Sequence, residues 1–433
     1  MLYTDWGYAA APLQSVSMAV RHIKIYKMRP TRKKEIPRDV HLLIRDTIDK
    51  FTDSIKEDEA YLFETDGHMI GYFNQGYSKL LKRIKNPCTC IYPECQAQSI
   101  RFSHSIQRAG ILEQLSENGH VYCPDIDANK GLIIRKVGIN EASTFPGFCD
   151  KHERYFDRVE HSKNITDDDY LKWQVFRTIC KEIVIKEIEL KDGVIALQSY
   201  NDLISKKFAT FFRKELGNEI IREYKLDIKD FKSEGLNFRQ KGMNWGIDNL
   251  KKLLRYYKTE FLPRSLNEIE KHGDTSLFHF KIEVMERLPV VLAGIGNFHI
   301  DDHGEKHNVK AILNVLTLDD KTVICATVLY EHRKYLEVYI NEFMNRLNGP
   351  LIMVETWMVN GTDHWFINPS QWENIPPKRQ DSILHDLFED KFDLNAPYPN
   401  SILDSVRRTM LSIPIPREFT QEEIIQERQK IED

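Results

Sequence analysis

The segment Cys88-Thr89-Cys90-Ile91-Tyr92-Pro93-Glu94-Cys95, read together with Phe148-Cys149-Asp150-Lys151-His152, decides the character of this chain. Two separated ligand pairs are the usual build of a structural zinc site. Each pair sets two donors on one side of a tetrahedron, and the chain between them closes the cage. Cys90 and Cys95 supply the first pair. Cys149 and His152, three apart, fall on neighbouring positions of a first helical turn and point the same way, which supplies the second. Cys88 can stand in for a member of the first pair, and Cys123 can enter if the intervening chain folds back. Five of the seven cysteines lie between 88 and 149, a clustering that suits metal better than disulfides and places the chain in a reducing compartment.

His104 follows Cys95 by nine residues, within Ser99-Ile100-Arg101-Phe102-Ser103-His104-Ser105-Ile106. In order and approximate spacing, Cys90, Cys95, His104, Cys149 and His152 resemble the frame of the zinc-centred ββα nucleases called HNH. The resemblance implies that His104, at a strand end, is the general base for water attack on a phosphodiester. It also implies a catalytic Mg²⁺ or Mn²⁺ near Glu153 or Asp157 that stabilises the leaving oxygen. Ser103 stands where that pattern carries an acidic residue. The stretch from Cys90 to Glu160, with Glu117-Asn118-Gly119-His120-Val121-Tyr122 and Ser143-Thr144-Phe145-Pro146-Gly147-Phe148-Cys149, resembles an uncharacterised family of bacterial proteins with such a module. That likeness carries an association with bacterial genome defence.

The remaining composition is that of an ordinary globular chain. Its 433 residues exceed what one core usually serves, and 41% hydrophobic with 29% charged residues is far from disorder. A net charge of −4 restricts nucleic-acid binding to a local patch. No secretory leader is read at Met1–Val20, and the longest apolar run, Leu288–Phe298, is too short for a membrane helix, so the expectation is a cytoplasmic protein without membrane attachment.

Four segments are expected. Residues 1–80 form a basic arm (Arg21–Arg38) and an amphipathic helix over His41–Leu62, and 81–165 form the zinc-binding HNH-like module. Residues 166–265 form a helical region, with helices over Tyr170–Leu190, Tyr200–Asp230 and Arg239–Phe261. Residues 266–433 form a C-terminal α+β domain. There, β-branched runs predict strands at Leu288–Phe298, Val309–Leu318, Thr322–Tyr330, Leu351–Val359 and His364–Ile367, with helices at Tyr335–Leu347 and Lys378–Phe388 and a charged tail at Gln421–Asp433. The fold class expected is therefore α+β: a treble-clef or ββα-like zinc module, central long helices and an antiparallel sheet with helices.

Two further groupings carry weaker signals. His299, Asp301 and His303 alternate on an extended strand, although a polar hairpin turn explains them as well. Glu355 and His364 can line a sheet edge, which with His299 would put an enzyme in the C-terminal part. No glycine-rich phosphate loop and no nucleophile elbow is present. The function expected is a metal-dependent nuclease or other nucleic-acid-acting protein. The alternative is a non-enzymatic, zinc-stabilised protein that binds or senses a nucleic acid or a protein partner.

Overall fold

The computed structural model describes residues 36–57, 59–63, 65–127, 131–224, 226, 238–271, 276–284, 286–388, 393–415 and 418–432. The basic arm lies almost wholly outside them. The first helices are α1 (Arg38–Glu57) and α2 (Asp66–Ile84), followed by β1 (Ser103–His104), α3 (Glu113–Leu115), β2 (His120–Asp127), β3 (Gly131–Gly138) and β4 (Thr144–Phe145). Next come α4 (Asp150–Glu153), α5 (Asp157–Glu160), α6 (Asp168–Glu223), α7 (Phe238–Tyr256) and α8 (Leu262–Glu270). The C-terminal part holds β5 (Leu277–Val284), β6 (Val290–Asp302), β7 (Glu305–Leu318), β8 (Lys321–Leu329), α9 (Arg333–Met344), α10 (Gly349–Asn360) and β9 (Trp365–Ile367). It ends with α11 (Pro369–Glu373), α12 (Pro377–Phe388), α13 (Asp404–Ser412) and α14 (Gln421–Glu432). The class is mixed helix and sheet, as expected.

The chain divides into two compact units. One takes Lys79–Glu189 and Lys251–Asp433, the other Leu2–Ser78 and Leu190–Leu250. In the second unit, α1 turns Phe51 and Ile55 onto Tyr200, Ile204, Phe208 and Phe212 of α6 and Met243 of α7. The rings of Phe51 and Phe208 meet edge to face at 5.2 Å. Of the apolar stripe read in α1, Ile44 and Ile48 are half-buried and Leu42 is exposed.

The first unit is built on a seven-stranded antiparallel sheet, in the order β3-β2-β9-β6-β7-β8-β5. Strand β8 and the second half of β7, from Ala311 to Leu318, are buried because helices cover both faces, while β7 starts exposed at Glu305. Leu313, Val315, Ile324 and Ala326 pack with Leu336, Ile340 and Trp357 of α9 and α10. On the opposite face, Asn314 Oδ1 accepts hydrogen bonds from Thr178 Oγ1 at 2.7 Å and Gln174 Nε2 at 3.2 Å, both on α6. The β2–β3 hairpin, which lies between the two ligand pairs in sequence, forms the sheet's far edge.

The structure corrects three local expectations. Leu351–Val359 is helix α10, not a strand. All nine residues are buried, and a helix enclosed on every side shows no amphipathic period, so its apolar run looks like a core strand. The overlooked cue is Asn348-Gly349-Pro350, since proline in the first turn marks a helix start. The separate helices expected at Tyr170–Leu190 and Tyr200–Asp230 are one element, α6. Its helical geometry breaks at Gly217, where φ is 73°, and not between 190 and 200. The charged tail forms α14. The His299–His307 stretch is a polar hairpin, with His303 and Gly304 at φ 55° and 85° giving the tight turn.

At the other edge of the sheet, His279 on β5 meets Glu268 of α8, with Nε2 3.0 Å from Oε2, while Nδ1 lies 2.8 Å from Thr327 Oγ1. Burial alone would lower the imidazole. Cys325 and Glu268 outweigh it and raise His279 to about 9. A histidine pKa raised by folding stabilises fully below the unfolded value of about 6.5, and the contribution is lost as pH climbs through the folded value. Stability should therefore fall by up to about 3 kcal/mol between about pH 6.5 and 9. Urea midpoints across that range should show the slope in the parent and not in His279→Asn.

Candidate metal centre

Two backbone contacts bring the two ligand loops together, and a third closes the first loop on itself. Ile91 N donates to Gly147 O at 2.9 Å, Ile100 N to Phe148 O at 2.7 Å, and Cys90 N to Ala97 O at 2.9 Å within the first loop. Glu94, at φ 61°, turns the chain so that Cys95 faces back toward Cys90. Gly147 has no alternative, because a Cβ there would lie 2.1 Å from the Phe145 ring. Cys149 is the N-cap of α4, and His152 sits in the first turn.

The side chains of Cys90, Cys95, Cys149 and His152 converge, with their ligand atoms all within 4.8 Å of one another. Cys95 Sγ lies 3.9 Å from Cys149 Sγ, and His152 Nδ1 lies 3.4 Å from the sulfurs of both Cys90 and Cys149. A zinc tetrahedron with the usual bond lengths has S···S edges of about 3.8 Å and S···N edges of about 3.5 Å. The residues fit the ion. The Cys149 N–H also points at Cys90 Sγ at 3.3 Å, as expected for a donor to a bound thiolate. His152 stacks on Tyr92 at 4.2 Å, and Tyr92 is in turn fixed by a hydroxyl bond to Glu270 at 2.8 Å.

Without the ion, this pocket suits charge poorly. Burial pushes the Cys90 thiol up to about 12. Burial would raise Cys149 too, but the N–H groups at the start of α4 and the neighbouring thiols bring it below its ordinary value. Of the two alternative ligands, Cys88 turns to Pro146 O at 2.8 Å, and Cys123 lies in strand β2. Neither belongs to the cluster.

His104 lies on β1, paired with β4 in the register His104↔Thr144. Its Nδ1 is 3.1 Å from Ala142 O and 3.4 Å from Ser143 Oγ. Burial pushes this imidazole down to about 4, opposed by Glu160 and helped by Arg177. It is therefore neutral at physiological pH. Glu153 is half-buried, whereas Asp157 is exposed. Burial raises the Glu153 carboxyl, against the pull of Arg177 and Ser103. Ser103 is fully buried and accepts the Phe148 N–H at 3.3 Å, leaving no room for the acidic residue of the HNH pattern.

No family model matches the chain, and neither does any curated protein or solved structure. The site must be read from its own geometry.

Sequence reading missed the α6 residues around His104. Arg177, 2% exposed, bonds Glu160 at 2.5 Å and Glu153 at 3.4 Å and lies over the Phe156 ring at 4.2 Å. Gln174 donates to Ser105 O at 2.8 Å, and Tyr170 to Gln107 Oε1 at 2.9 Å. The available signal was that Gln174, Arg177, Thr178 and Lys181 recur at helical spacing amid apolar residues. The C-terminal trio does not assemble through shared partners. Glu355 bonds Arg407 and the N–H groups of Ile402 and Leu403, and His364 bonds Ser105 Oγ at 2.6 Å. His299 is held through its backbone by Asn395. Among the described residues no helix is long and apolar enough to cross a membrane.

Proposed function

We propose that the Cys90/Cys95/Cys149/His152 cluster holds a structural zinc, and that the module it pins is an HNH-like phosphodiesterase acting on nucleic acid, with His104 as general base. The observation that carries this reading is the Nδ1 contact of His104 with Ala142 O, on the strand pair that leads directly into the zinc-ligating helix. A neutral imidazole tied at Nδ1 is free to take a proton at Nε2, which is what activation of water requires. The resemblance assigns the stabilising positive charge to Mg²⁺ or Mn²⁺ held by Glu153 or Asp157 and carries an association with bacterial genome defence, while the clustered free thiols suit a reducing, cytoplasmic setting.

A cleavage assay on single- and double-stranded DNA and RNA in Mg²⁺ and Mn²⁺, with zinc content measured in parallel, tests this. His104→Ala should keep its zinc and lose about 10²- to 10⁴-fold in rate, the usual worth of a general base. Cleavage unchanged by His104→Ala would end the mechanism.

A second reading, a zinc-stabilised protein that binds a nucleic acid or a protein partner without catalysis, is favoured by the engagement of Glu153 and Glu160 with Arg177. It expects no cleavage, and binding that survives His104→Ala.

A further inference from the structure

We infer that Arg177 is the resident cation of the His104 site, bridging Glu153 and Glu160 in place of a catalytic divalent ion. The inference deepens the His104 reading and depends on it only for its catalytic consequence. Its basis is geometric. One guanidinium reaches both carboxylates, Nη1 to Glu160 at 2.5 Å and Nη2 to Glu153 at 3.4 Å, from a position almost completely shielded from solvent. The planar fork of arginine is suited to holding two acceptors at once, whereas a lysine ammonium is a point charge. Phe156 beneath the guanidinium and Trp173 and Phe176 around Phe156 fix its plane.

The ligand inventory agrees. A catalytic Mg²⁺ is held by one or two carboxylates and otherwise by water and substrate phosphate, so those carboxylates must be free of a competing cation. Among the described residues, the Cys/His cluster is the one group of three or more Cys, His, Asp or Glu side chains whose ligand atoms converge. His104, Glu153, Asp157 and Glu160 form no such group, and Asp157 faces solvent. Arg177 already occupies Glu153 and Glu160, so a divalent ion would have to displace the guanidinium to use either carboxylate. Arg177 does not reach solvent, so it acts as a positioning residue. It fixes Glu160 beside His104 and disfavours a second positive charge on the imidazole.

The experiment follows Mn²⁺ binding to the zinc-loaded full chain by loss of the free-ion EPR signal, with thermal midpoints measured at the same Mn²⁺ concentrations. The parent should bind no Mn²⁺ that Glu160→Gln removes, and its midpoint should not move. Arg177→Met should be less stable, keep one zinc, gain a Mn²⁺ site and recover several degrees when Mn²⁺ is added. The double variant Arg177→Met/Glu160→Gln should lose that gain. If Arg177→Met fails to fold, Arg177→Lys, which reaches only one carboxylate, should show a smaller gain. The His104 imidazole titration, followed by NMR, should move upward in Arg177→Met, which removes the charge, and much less in Arg177→Lys, which keeps it. A stoichiometric Mn²⁺ site in the parent that Glu160→Gln abolishes would overturn the inference. If the parent binds no Mn²⁺ and also cleaves nothing, the nuclease reading falls while this inference stands. Cleavage that persists in cation-depleted buffer would support both.

Discussion

Cys149→Ser should reduce zinc from one ion per chain to a small fraction and destabilise the first unit by more than about 4 kcal/mol, a loss reserved for disrupted metal sites and cores. The reason is that binding of the proposed zinc would be folding energy here. Apparent binding free energies of structural zinc reach about 10–16 kcal/mol, and without the ion three thiols and an imidazole crowd within 4.8 Å in a largely dry pocket. The loss should spread beyond the module, because the same α4 leads into α5 and α6. Glu160 and Arg177 there support His104. Elemental analysis and urea unfolding with near-UV detection check both parts. Cys88→Ser and Cys123→Ser are the controls and should keep full zinc, since neither thiol enters the cluster. Full zinc in Cys149→Ser would remove the central claim.

Arg407→Met should be nearly as damaging for a different reason, costing about 3–5 kcal/mol, the usual result of removing one partner from a buried ion network. Arg407 is fully buried and bridges Glu355 of α10 and Glu427 of α14. Glu355, also fully buried, accepts the Ile402 N–H at 2.8 Å and the Leu403 N–H at 3.0 Å. It would be left as an uncompensated charge in the core. Glu427 also accepts from Asn348 Nδ2 at 3.1 Å and pairs with Lys430 at 2.7 Å, so the network holds α14 against the start of α10. Replacing Glu355 and Arg407 together with methionine should cost much less than the sum of the single changes, because the unpaired charge disappears with its partner. Equal and additive losses in a double-mutant cycle would show that the network contributes packing and little else.

The strands were legible where residue chemistry alone sets them. β6, β7 and β8 are β-branched runs broken by Asp319-Asp320 and by His303-Gly304, turns in which Asp319, His303 and Gly304 take positive φ. α10 was illegible because its signal is burial on all sides, and burial belongs to the folded state. The residues of the candidate metal cluster were legible for the opposite reason. Thiols and imidazoles at these spacings form a site through local chain geometry, and the pair at Cys149 and His152 needs only one helical turn.

By itself, the sequence determined the mixed α+β class and the thiols and imidazole from which the candidate metal cluster is drawn, because each rests on residue type and short-range spacing. Tertiary structure alone decided that Cys88 and Cys123 stay out of the cluster, that the β2–β3 hairpin joins a distant sheet, and that His104 is kept neutral. It also decided that Arg177, from a later helix, takes up Glu153 and Glu160. Those outcomes depend on which surfaces exclude water around a charge, and desolvation is a property of packing between segments far apart in the chain.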